Sequence, residues 1–396
     1  MAEQPNLSTP DGLESLVCHA CGADSLSVFD QSRGLAAVTS DCRAWPASFL
    51  VAICPVCGLV QKVVDAAWRQ SASRIYGSYD LYHQTPGRTE QVIFDQGSGL
   101  ALPRSELMFG HFFRHRPLAT SGTYLDLGCG TGPTLTAFSK LASGWQLFGY
   151  DPHLPDAQRV LAIPGVVEVF AGDLREISGK FDLITAVHVL EHVTEPLPFL
   201  QAMRSLMHAD SRALIQIPHF PSSLFDLAIF DHCSHFTGSS ISQLLAEAGL
   251  AIEAIDIELI PKEISIVVKR GEPHLTRPVG DQAESRAAVV SSIAWLCALQ
   301  AQAIGVDTEH VGVFGTSIGA NWLHGLLAER IEFFVDEDLS RQGQLYRGCP
   351  VLAPNAVPGR AQVLMPLPPV TAAQIRRRLG SLSADYLLPP GDTFIN

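Results

Sequence analysis

Tyr124-Leu-Asp-Leu-Gly-Cys-Gly-Thr-Gly132 is the stretch that decides the fold. The residues before the glycines form an apolar run of strand length, and the residues after Pro133 have the pattern of a helix. Gly128, Gly130 and Gly132 leave bare backbone where the chain must turn sharply. A strand, a glycine turn and a helix place backbone N–H groups against a polar ligand. The stretch therefore predicts a nucleotide-type site at the tip of a first strand.

Three further signals follow in order along the chain. A second apolar run ends in Asp151, where a carboxylate can hold a ribose diol by two hydrogen bonds. A third run ends in Gly172-Asp173-Leu174, which suits an adenine edge. A fourth is followed by His188-Val-Leu-Glu-His192. With Asp126 in the first strand, these residues predict a cofactor site built on successive strand tips.

Together these residues resemble the class I methyltransferases that use S-adenosyl-L-methionine. The resemblance rests on the D-x-G-x-G-x-G loop, the acidic end of strand two, the Gly-Asp after strand three and the V-L-E-H after strand four. It implies that the loop glycines, Asp126, Asp151, Asp173, Leu174 and His188 contact the cofactor. The alternative is another kind of nucleotide-binding α/β domain.

Bulk composition limits the partners. A chain of 396 residues with 47% hydrophobic content can form two or three domains with real cores. Its net charge of −13 repels phosphate backbones, which argues against a nucleic-acid substrate. No signal peptide is visible, and no uninterrupted apolar run approaches the roughly 20 residues that span a bilayer. We expect a cytoplasmic protein without a membrane partner, and the choice between monomer and dimer stays open.

Four of the nine cysteines form two C-x-x-C pairs, Cys18/Cys21 and Cys54/Cys57, separated by 32 residues. Two such pairs can bring four thiolates into the tetrahedron of a structural Zn²⁺ site. The alternative is a redox-active C-x-x-C, and His19 could replace one ligand. The remaining cysteines are scattered and read as core or loop thiols.

The order of motifs predicts three domains. Residues 1–75 form a zinc-binding module too small for a core of its own. Residues 76–275 form the cofactor-binding domain, with a mostly helical pattern over 89–114 leading into its first strand. Residues 276–396 form a C-terminal α/β substrate-binding domain. There Gly315 and Asp336 stand 21 residues apart, which mimics half a dinucleotide site, but the full G-x-G-x-x-G is missing.

This order over nearly the whole chain is similar to the sugar C-methyltransferase family, which methylates a carbon beside the ketone of nucleotide-linked 4-keto deoxysugars. The resemblance implies that the four paired cysteines bind zinc and that the last domain helps to hold the sugar nucleotide. The stretch Tyr79-Asp-Leu-Tyr82-His83 resembles a Y-P-Y-H segment of the family. It implies Tyr79 at the cofactor and Tyr82 at the reaction centre.

A loop after strand five carries the predicted acceptor chemistry. Phe225-Asp226 and the later Asp231-His232 fall where the family has F-D-x-I-Y-x-E-H, so the resemblance makes His232 a base. A neighbouring carboxylate raises imidazole basicity, and we expect Asp231 to pair with His232. His192 matches a family histidine that faces the ketone. Ile229 stands where the family has tyrosine, so a phenol that would support an enolate is missing.

The predicted architecture is therefore α/β: a class I, Rossmann-like, seven-stranded methyltransferase domain flanked by a small N-terminal zinc module and a C-terminal Rossmann-like domain. The first functional hypothesis is methylation of a carbon next to a ketone in a nucleotide sugar or related small molecule. The second is an O- or N-methyltransferase of a natural-product pathway. The third is a non-catalytic cofactor-binding protein with the same fold.

Overall fold

The computed structural model describes residues 16–79, 92–95, 100–114, 116–154, 156–273, 282–380 and 384–391. Tyr82 lies outside the described residues, as do residues 1–15 of the predicted zinc module. The α-helices are α1 Ala66–Tyr76, α2 Arg104–Arg114, α3 Pro133–Leu141, α4 Ala157–Leu161, α5 Pro196–Ser205, α6 Gly238–Glu247, α7 Gln282–Ile304, α8 Ile318–Leu327 and α9 Pro369–Leu379.

The strands fall into five sheets. They are β1 Ser27–Phe29, β2 Ala37–Val38, β3 Ala44–Trp45, β4 Val51–Ile53, β5 Val60–Lys62, β6 Val92–Asp95, β7 Leu100–Pro103, β8 Gly122–Leu127, β9 Trp145–Tyr150, β10 Val166–Phe170, β11 Phe181–Val187, β12 Met207–Pro218, β13 Ser234–His235, β14 Leu250–Asp256, β15 Glu263–Arg270, β16 Val311–Phe314, β17 Ile331–Val335, β18 Leu345–Tyr346, β19 Cys349–Leu352, β20 Gln362–Leu364 and β21 Asp385–Leu387.

The central sheet has seven strands in the order β10-β9-β8-β11-β12-β15-β14. All neighbours are parallel from β10 to β12, while β15 runs antiparallel to both β12 and β14. Chain order reverses between β8 and β11, and in such sheets a ligand binds outside the carboxyl ends of the strands at that point. The predicted seven-stranded Rossmann-like fold is confirmed.

Helices cover both faces of this sheet because its strands are apolar on both sides. On one face the ring centre of Tyr124 lies 4.3 Å from that of Phe138 in α3 and 6.1 Å from that of Phe109 in α2. On the other face Leu200 of α5 and Leu245 of α6 are fully buried. Each such side chain stabilises the fold by about 1.5–3 kcal/mol, so the sheet forms a rigid platform for the strand tips.

The N-terminal segment forms a sheet of order β1-β4-β5-β13. Its last strand, β13, belongs to the loop that follows β12, and Ser234 pairs there with Gln61 and His235 with Val60. This pairing fastens the N-terminal sheet to the polar loop at the carboxyl edge of the central sheet. The predicted catalytic loop is therefore attached to the central sheet through β12 and to the N-terminal sheet through β13.

The helical pattern predicted over 89–114 is wrong in its first part. Among the described residues, 92–95 and 100–103 form the antiparallel pair β6 and β7, and a helix begins only at Arg104. β-branched and aromatic residues such as Val92, Ile93 and Phe94 favour a strand over this segment. Pro103 is the last residue of the second strand, β7.

The C-terminal part carries a six-stranded sheet of order β18-β19-β17-β16-β20-β21, with α7 to α9 around it. By length and composition alone, α7 could cross a membrane. Its inner face packs into the core through Val289, Ile293, Leu296 and Leu299. Serine and glutamine interrupt its apolar residues, so it contains no uninterrupted apolar run of the length that spans a bilayer.

Candidate functional site

The glycine loop depends on backbone conformations that only glycine adopts readily. Gly128, Gly130 and Gly132 have φ values of 75°, 51° and 84°, in the left-handed region. A Cβ on Gly128 would overlap Cγ2 of Val189. The amide of Gly128 donates to the carbonyl of Tyr150 at 2.7 Å. The loop is thus a side-chain-free cradle across the tips of β8 and β9, and its shape fits a cofactor that lies against main chain.

Asp151 joins this loop to the tip of β9. Its Oδ2 accepts the amide of Gly130 at 3.1 Å, and its Oδ1 accepts the amide of His153 at 2.9 Å. Each oxygen of a carboxylate has two lone-pair directions, so each keeps one beyond these bonds. The geometry leaves Asp151 able to accept the two hydrogen bonds of a ribose diol.

Asp126 lies beneath the loop rather than at its surface. The side chain is 2% exposed, and Oδ1 accepts a 2.5 Å hydrogen bond from Thr185 Oγ1. Burial raises the pKa of Asp126 to about 7, because the charged form loses its hydration. Asp126 therefore holds a proton over part of the neutral pH range.

Asp173 and Leu174, which follow β10, lie in different environments. Asp173 accepts a 2.9 Å hydrogen bond from the amide of Arg175 and 3.0 Å bonds from its guanidinium, and these hydrogen bonds hold the pKa of Asp173 down to about 2. Leu174 is buried in the core beneath the sheet. Of the two residues predicted to contact the adenine, Asp173 is half-exposed and ion-paired with Arg175, and the side chain of Leu174 packs into the core.

His188 follows β11 and has a φ of 54°, a backbone conformation that residues other than glycine rarely adopt. Its Nδ1 lies 2.9 Å from Oε1 of Glu191, and its Nε2 lies 3.1 Å from Oε1 of Glu263. Burial and Arg104 disfavour the imidazolium, but the two carboxylates outweigh them and raise the pKa of His188 to about 9. His188 is therefore a cation between two buried anions.

His192 and His232 lie side by side at the carboxyl edge of the central sheet. We call these two residues, together with the side chains that contact them or their loop, the histidine centre. Their rings meet edge to face at 89°, with centroids 4.7 Å apart. Nδ1 of His192 lies 3.1 Å from both the carbonyl of Asp231 and the hydroxyl of Tyr76. Burial and then the neighbouring His232 lower the pKa of His192, so its neutral form is favoured.

The predicted pairing of His232 with Asp231 is wrong. Nδ1 of His232 lies 2.7 Å from Oδ1 of Asp226 instead. The carboxylate of Asp231 turns to Ser40, accepting its amide at 2.8 Å and also its hydroxyl. The side chains of Asp231 and His232 are adjacent in sequence and point in different directions. The short helix Asp226–Ala228 turns the chain so that the carboxylate of Asp226 reaches the ring of His232 instead.

Several residues of the histidine centre carried no motif. Lys62 of β5 is fully buried, and its ammonium donates to the carbonyls of Ile229 and His232. Burial lowers the pKa of Lys62 to about 8. Ser40 and Tyr76 contact the centre from the N-terminal segment as described above. Because these residues are distant in sequence from the loop they contact, only the fold brings them together.

The two tyrosines predicted near the site have different outcomes. The hydroxyl of Tyr79 lies 2.9 Å from Oγ of Ser40, and its ring centre lies 6.0 Å from that of Tyr76. Tyr79 is thereby placed at the Ser40 side of the histidine centre. Tyr82 lies outside the described residues.

The paired cysteines lie together. One ligand atom from each of Cys18, Cys21, Cys54 and Cys57 falls within 4.8 Å of the others, and all four residues are buried. The Sγ atoms of Cys18 and Cys57 are 3.5 Å apart, and those of Cys21 and Cys54 are 3.6 Å apart. Bonds of about 2.3 Å in a tetrahedron place sulfurs about 3.8 Å apart, so the donor set fits zinc.

His19 and a second group of three residues also carry atoms of the kind that bind metal ions. Nδ1 of His19 lies 3.3 Å from Ser234 Oγ, so this ring faces the loop rather than the thiols. Glu191, His192 and His232 also bring one ligand-type atom each within 4.8 Å of the others. Since Nδ1 of both histidines is already hydrogen-bonded, each ring has one nitrogen left for chemistry, which suits general acid–base catalysis.

Residues 106–255 match a methyltransferase domain family model. The chain is 30% identical over 172 residues to ribosomal RNA small subunit methyltransferase C of Sodalis glossinidius, which covers 41% of this chain and 46% of the relative. It is 29% identical over 111 residues to ubiquinone biosynthesis O-methyltransferase of Xanthomonas campestris, covering 26% and 46%. The chain spans about half the length of these curated relatives.

Among solved structures, the mitomycin 7-O-methyltransferase MmcR aligns over 52% of this chain and 60% of its own, with 17% identity and a TM-score of 0.40. Residues 106–255 of the family match include the glycine loop, β9 to β12, His192 and His232. The chain therefore contains a class I S-adenosylmethionine-dependent methyltransferase domain.

Proposed function

We propose that this protein methylates a carbon next to a ketone in a nucleotide-linked deoxysugar or a related small metabolite. The observation that carries the proposal is the buried pair His192 and His232 at the carboxyl edge of the sheet, next to the strands that bear the glycine loop. Two imidazoles, each at hydrogen-bonding distance from a fixed partner, are suited to moving a proton.

The cofactor half of the site consists of the glycine loop and Asp151. Backbone at Gly128, Gly130 and Gly132 would hold the amino-acid end of S-adenosylmethionine, and Asp151 the ribose. The bound cofactor supplies a methyl group already activated by its sulfonium. The protein's remaining tasks are to align the acceptor and to generate a nucleophile.

The acceptor half consists of the histidine centre. Nε2 of His232 takes the acidic proton from the carbon beside the ketone, since its Nδ1 is occupied by Asp226. The hydroxyl of Tyr76 can donate to Nδ1 of His192; in that tautomer the neutral ring carries its hydrogen on Nε2 and donates it to the ketone oxygen, which stabilises the enolate. Asp231 and Tyr76 hold His192 in place, and Ser40 fixes Asp231.

The cysteine cluster is proposed to bind one Zn²⁺ with a structural role. Four thiolates leave no open coordination position, which is typical of structural rather than catalytic zinc. The ion would stabilise the sheet that pairs with β13.

A small molecule is favoured over nucleic acid as the acceptor. One relative is named for ribosomal RNA, but the net charge of −13 on this chain opposes the approach of a phosphate backbone. Proteins that bind RNA sequence-independently gain most of their affinity from basic surfaces. We propose a soluble metabolite acceptor bound between the histidine centre and the C-terminal sheet.

A second candidate is methylation of oxygen or nitrogen. Ile229, which stands where the resembling family has a phenol, has no side-chain hydroxyl to support an enolate, and its backbone carbonyl accepts from Lys62. A phenol or amine acceptor needs just one base, which His232 alone would supply. The relative named for ubiquinone O-methylation fits this candidate.

The test is methyl transfer from ¹³C-methyl-labelled S-adenosylmethionine to 4-keto sugar nucleotides and to pools of natural-product phenols. The proposal expects the label on carbon, with turnover lost in His232→Ala and His192→Ala. His219→Ala is the matched control, since this half-exposed ring hydrogen-bonds Ser222 away from the centre. Label on oxygen or nitrogen would favour the second candidate, and absence of any S-adenosylmethionine affinity would favour a non-catalytic protein.

A further inference from the structure

We infer that Asp226 is the positioning residue of His232: its carboxylate, clamped between two imidazoles, fixes the tautomer that presents a bare Nε2 to the acceptor. The inference rests on the proposed role of His232 as base and goes beyond it. It assigns a task to Asp226, which lies in the predicted catalytic loop without an assigned role, and to His235, which no motif singled out.

The geometry is a three-residue bridge. Oδ1 of Asp226 lies 2.7 Å from Nδ1 of His232, and Oδ2 lies 2.6 Å from Nδ1 of His235. The exposed fractions of Asp226, His232 and His235 are 1%, 4% and 1%. Both oxygens of one buried carboxylate are therefore used, each by a different ring.

The proton positions follow from this bridge. An ionised carboxylate only accepts hydrogen bonds, so both rings must carry their hydrogen on Nδ1. Burial opposes ionisation, but His235 and His232 outweigh it and lower the pKa of Asp226, so the carboxylate form persists. A neutral His232 with hydrogen on Nδ1 has its lone pair on Nε2, which is the arrangement a general base requires.

His235 serves as the second anchor of Asp226. It lies in β13, whose pairing with β5 ties it to the N-terminal sheet. Burial lowers the pKa of His235 to about 4, so the ring is a neutral hydrogen-bond donor there. Its Nε2 is buried and has no hydrogen-bond partner among the described residues, which excludes it from proton transfer with an acceptor.

Lys62 holds the backbone of the same loop. Its ammonium donates to the carbonyls of Ile229 and His232, within the turn that carries the base. Asp226 fixes the ring while Lys62 fixes the main chain. The ring of His232 can then neither flip nor swing without breaking a buried hydrogen bond to a charged group.

The direct test is the tautomer itself. Nitrogen-15 spectra of protein labelled at histidine distinguish hydrogen on Nδ1 from hydrogen on Nε2, and the His232→Gln variant identifies the signal. We expect hydrogen on Nδ1 of His232 in the unaltered protein. In Asp226→Asn the side-chain amide can donate to Nδ1, and we expect the hydrogen to move to Nε2.

Turnover provides the second readout. Asp226→Asn should lower kcat by about 10³- to 10⁴-fold, since a wrong tautomer costs a histidine base up to about 10⁴-fold, with the KM for cofactor changed less than about threefold. Asp226→Glu, which keeps the charge, should recover part of the loss. Asp182→Asn is the matched control, because Asp182 pairs with His208 at 2.9 Å far from the histidine centre. It should leave kcat and the His232 signal unchanged.

The outcomes separate this inference from the proposed function. If His232→Gln keeps its turnover, the base assignment fails whatever Asp226 does. If His232→Gln is inactive while Asp226→Asn retains full kcat, or if hydrogen sits on Nε2 in the unaltered protein, the positioning role alone is overturned. If equal losses in Asp226→Asn and Asp226→Glu come with an unchanged tautomer, Asp226 acts on folding only.

Discussion

The glycine loop and the histidine centre lie on the same edge of one sheet and are built in opposite ways. The loop comes from nine consecutive residues, Tyr124 to Gly132, and presents main chain in left-handed conformations. The histidine centre is assembled from the N-terminal segment, the turn after β11 and the loop after β12, and it presents side chains. Local sequence determines the loop, whereas tertiary structure determines the centre.

This difference explains why a cofactor site is recognised from sequence more readily than an acceptor site. A loop that must hold the same ligand needs glycine where φ is positive, and that requirement is visible as a motif. A centre made of side chains from distant segments has no fixed spacing. Changes at the two places should therefore have separable effects on cofactor binding and on turnover.

Loss of the proposed Zn²⁺ should disrupt the histidine centre and leave the glycine loop intact. Cys54→Ser removes one of four thiolates from a site whose metal contributes about 10–16 kcal/mol in small zinc modules. The sheet that holds β13 and Lys62 would lose its support, and we expect zinc content to vanish and turnover to fall at least about 100-fold. Affinity for S-adenosylmethionine, measured by calorimetry, should stay within about threefold.

The exposed Cys297 provides the control for that experiment. Cys297→Ser lies on α7, away from the four thiols, and should keep one zinc per chain and full turnover. If Cys54→Ser loses zinc and still turns over normally, the histidine centre does not depend on the N-terminal sheet.

Stability of the cofactor-free protein should depend on Asp126 through pH. Burial raises the pKa of Asp126 from 3.8 to about 7, so the folded protein binds this proton more tightly than the unfolded chain. That contribution to stability is fully present below pH 3.8 and is lost as the pH rises through about 7. Asp126→Asn should gain up to about 4 kcal/mol over the unaltered protein above pH 7, and little at pH 4, in urea unfolding.

Asp173→Asn is the matched acidic control. The Arg175 hydrogen bonds hold the pKa of Asp173 near 2, so its charge does not change between pH 4 and 8. The difference in stability between this variant and the unaltered protein should be flat over that range. A flat profile for Asp126→Asn as well would contradict the buried, proton-holding state of Asp126.

The loop should respond to a single methyl group. Gly128→Ala forces an alanine into a left-handed conformation at a cost of about 1–2 kcal/mol and crowds Val189. We expect S-adenosylmethionine to bind about 10-fold more weakly or worse, with little change in the nitrogen-15 signals of the histidine centre. Gly179→Ala has a similar strain, at a φ of 111° in open space, and should leave the affinity unchanged.

A smaller change inside the histidine centre should affect turnover only. Tyr76→Phe removes the hydroxyl that lies 3.1 Å from Nδ1 of His192. The carbonyl of Asp231 is then the remaining partner of Nδ1 and favours hydrogen on Nδ1, so donation from Nε2 weakens and we expect kcat to fall about 10-fold, equivalent to about 1.4 kcal/mol. Tyr386→Phe, which removes a hydroxyl bonded to Pro354 in the C-terminal sheet, should change nothing in the same assay. A loss of cofactor affinity in Tyr76→Phe would contradict the separation of the two halves.

The sequence predicted the fold where local pattern and tertiary structure agree. The seven strands, the glycine loop and the four clustered cysteines all have short-range signatures. The 89–114 segment failed because a mixed apolar pattern was read as a helix, although its β-branched residues pair as β6 and β7.

The histidine centre was only partly predictable for the opposite reason. His192 and His232 stand in recognisable stretches, but the partner of His232 could not be read from adjacency. Asp231 is the neighbour in sequence, and Asp226 is the neighbour in space. Lys62 carried no signal, since a lysine in a strand is ordinarily a solvent-facing residue, and only the packing of β5 on the loop buries it.

The central claim is that His232 removes a proton from carbon, and hydrogen exchange with solvent tests it most directly. The protein is incubated in D₂O with a 4-keto sugar nucleotide and S-adenosylhomocysteine, and deuterium at the carbon beside the ketone is measured by mass spectrometry. We predict exchange catalysed by the unaltered protein and at least about 100-fold slower in His232→Gln, with cofactor affinity unchanged. Exchange at the same rate in both proteins, or methyl transfer to carbon with no exchange in either, would contradict the account.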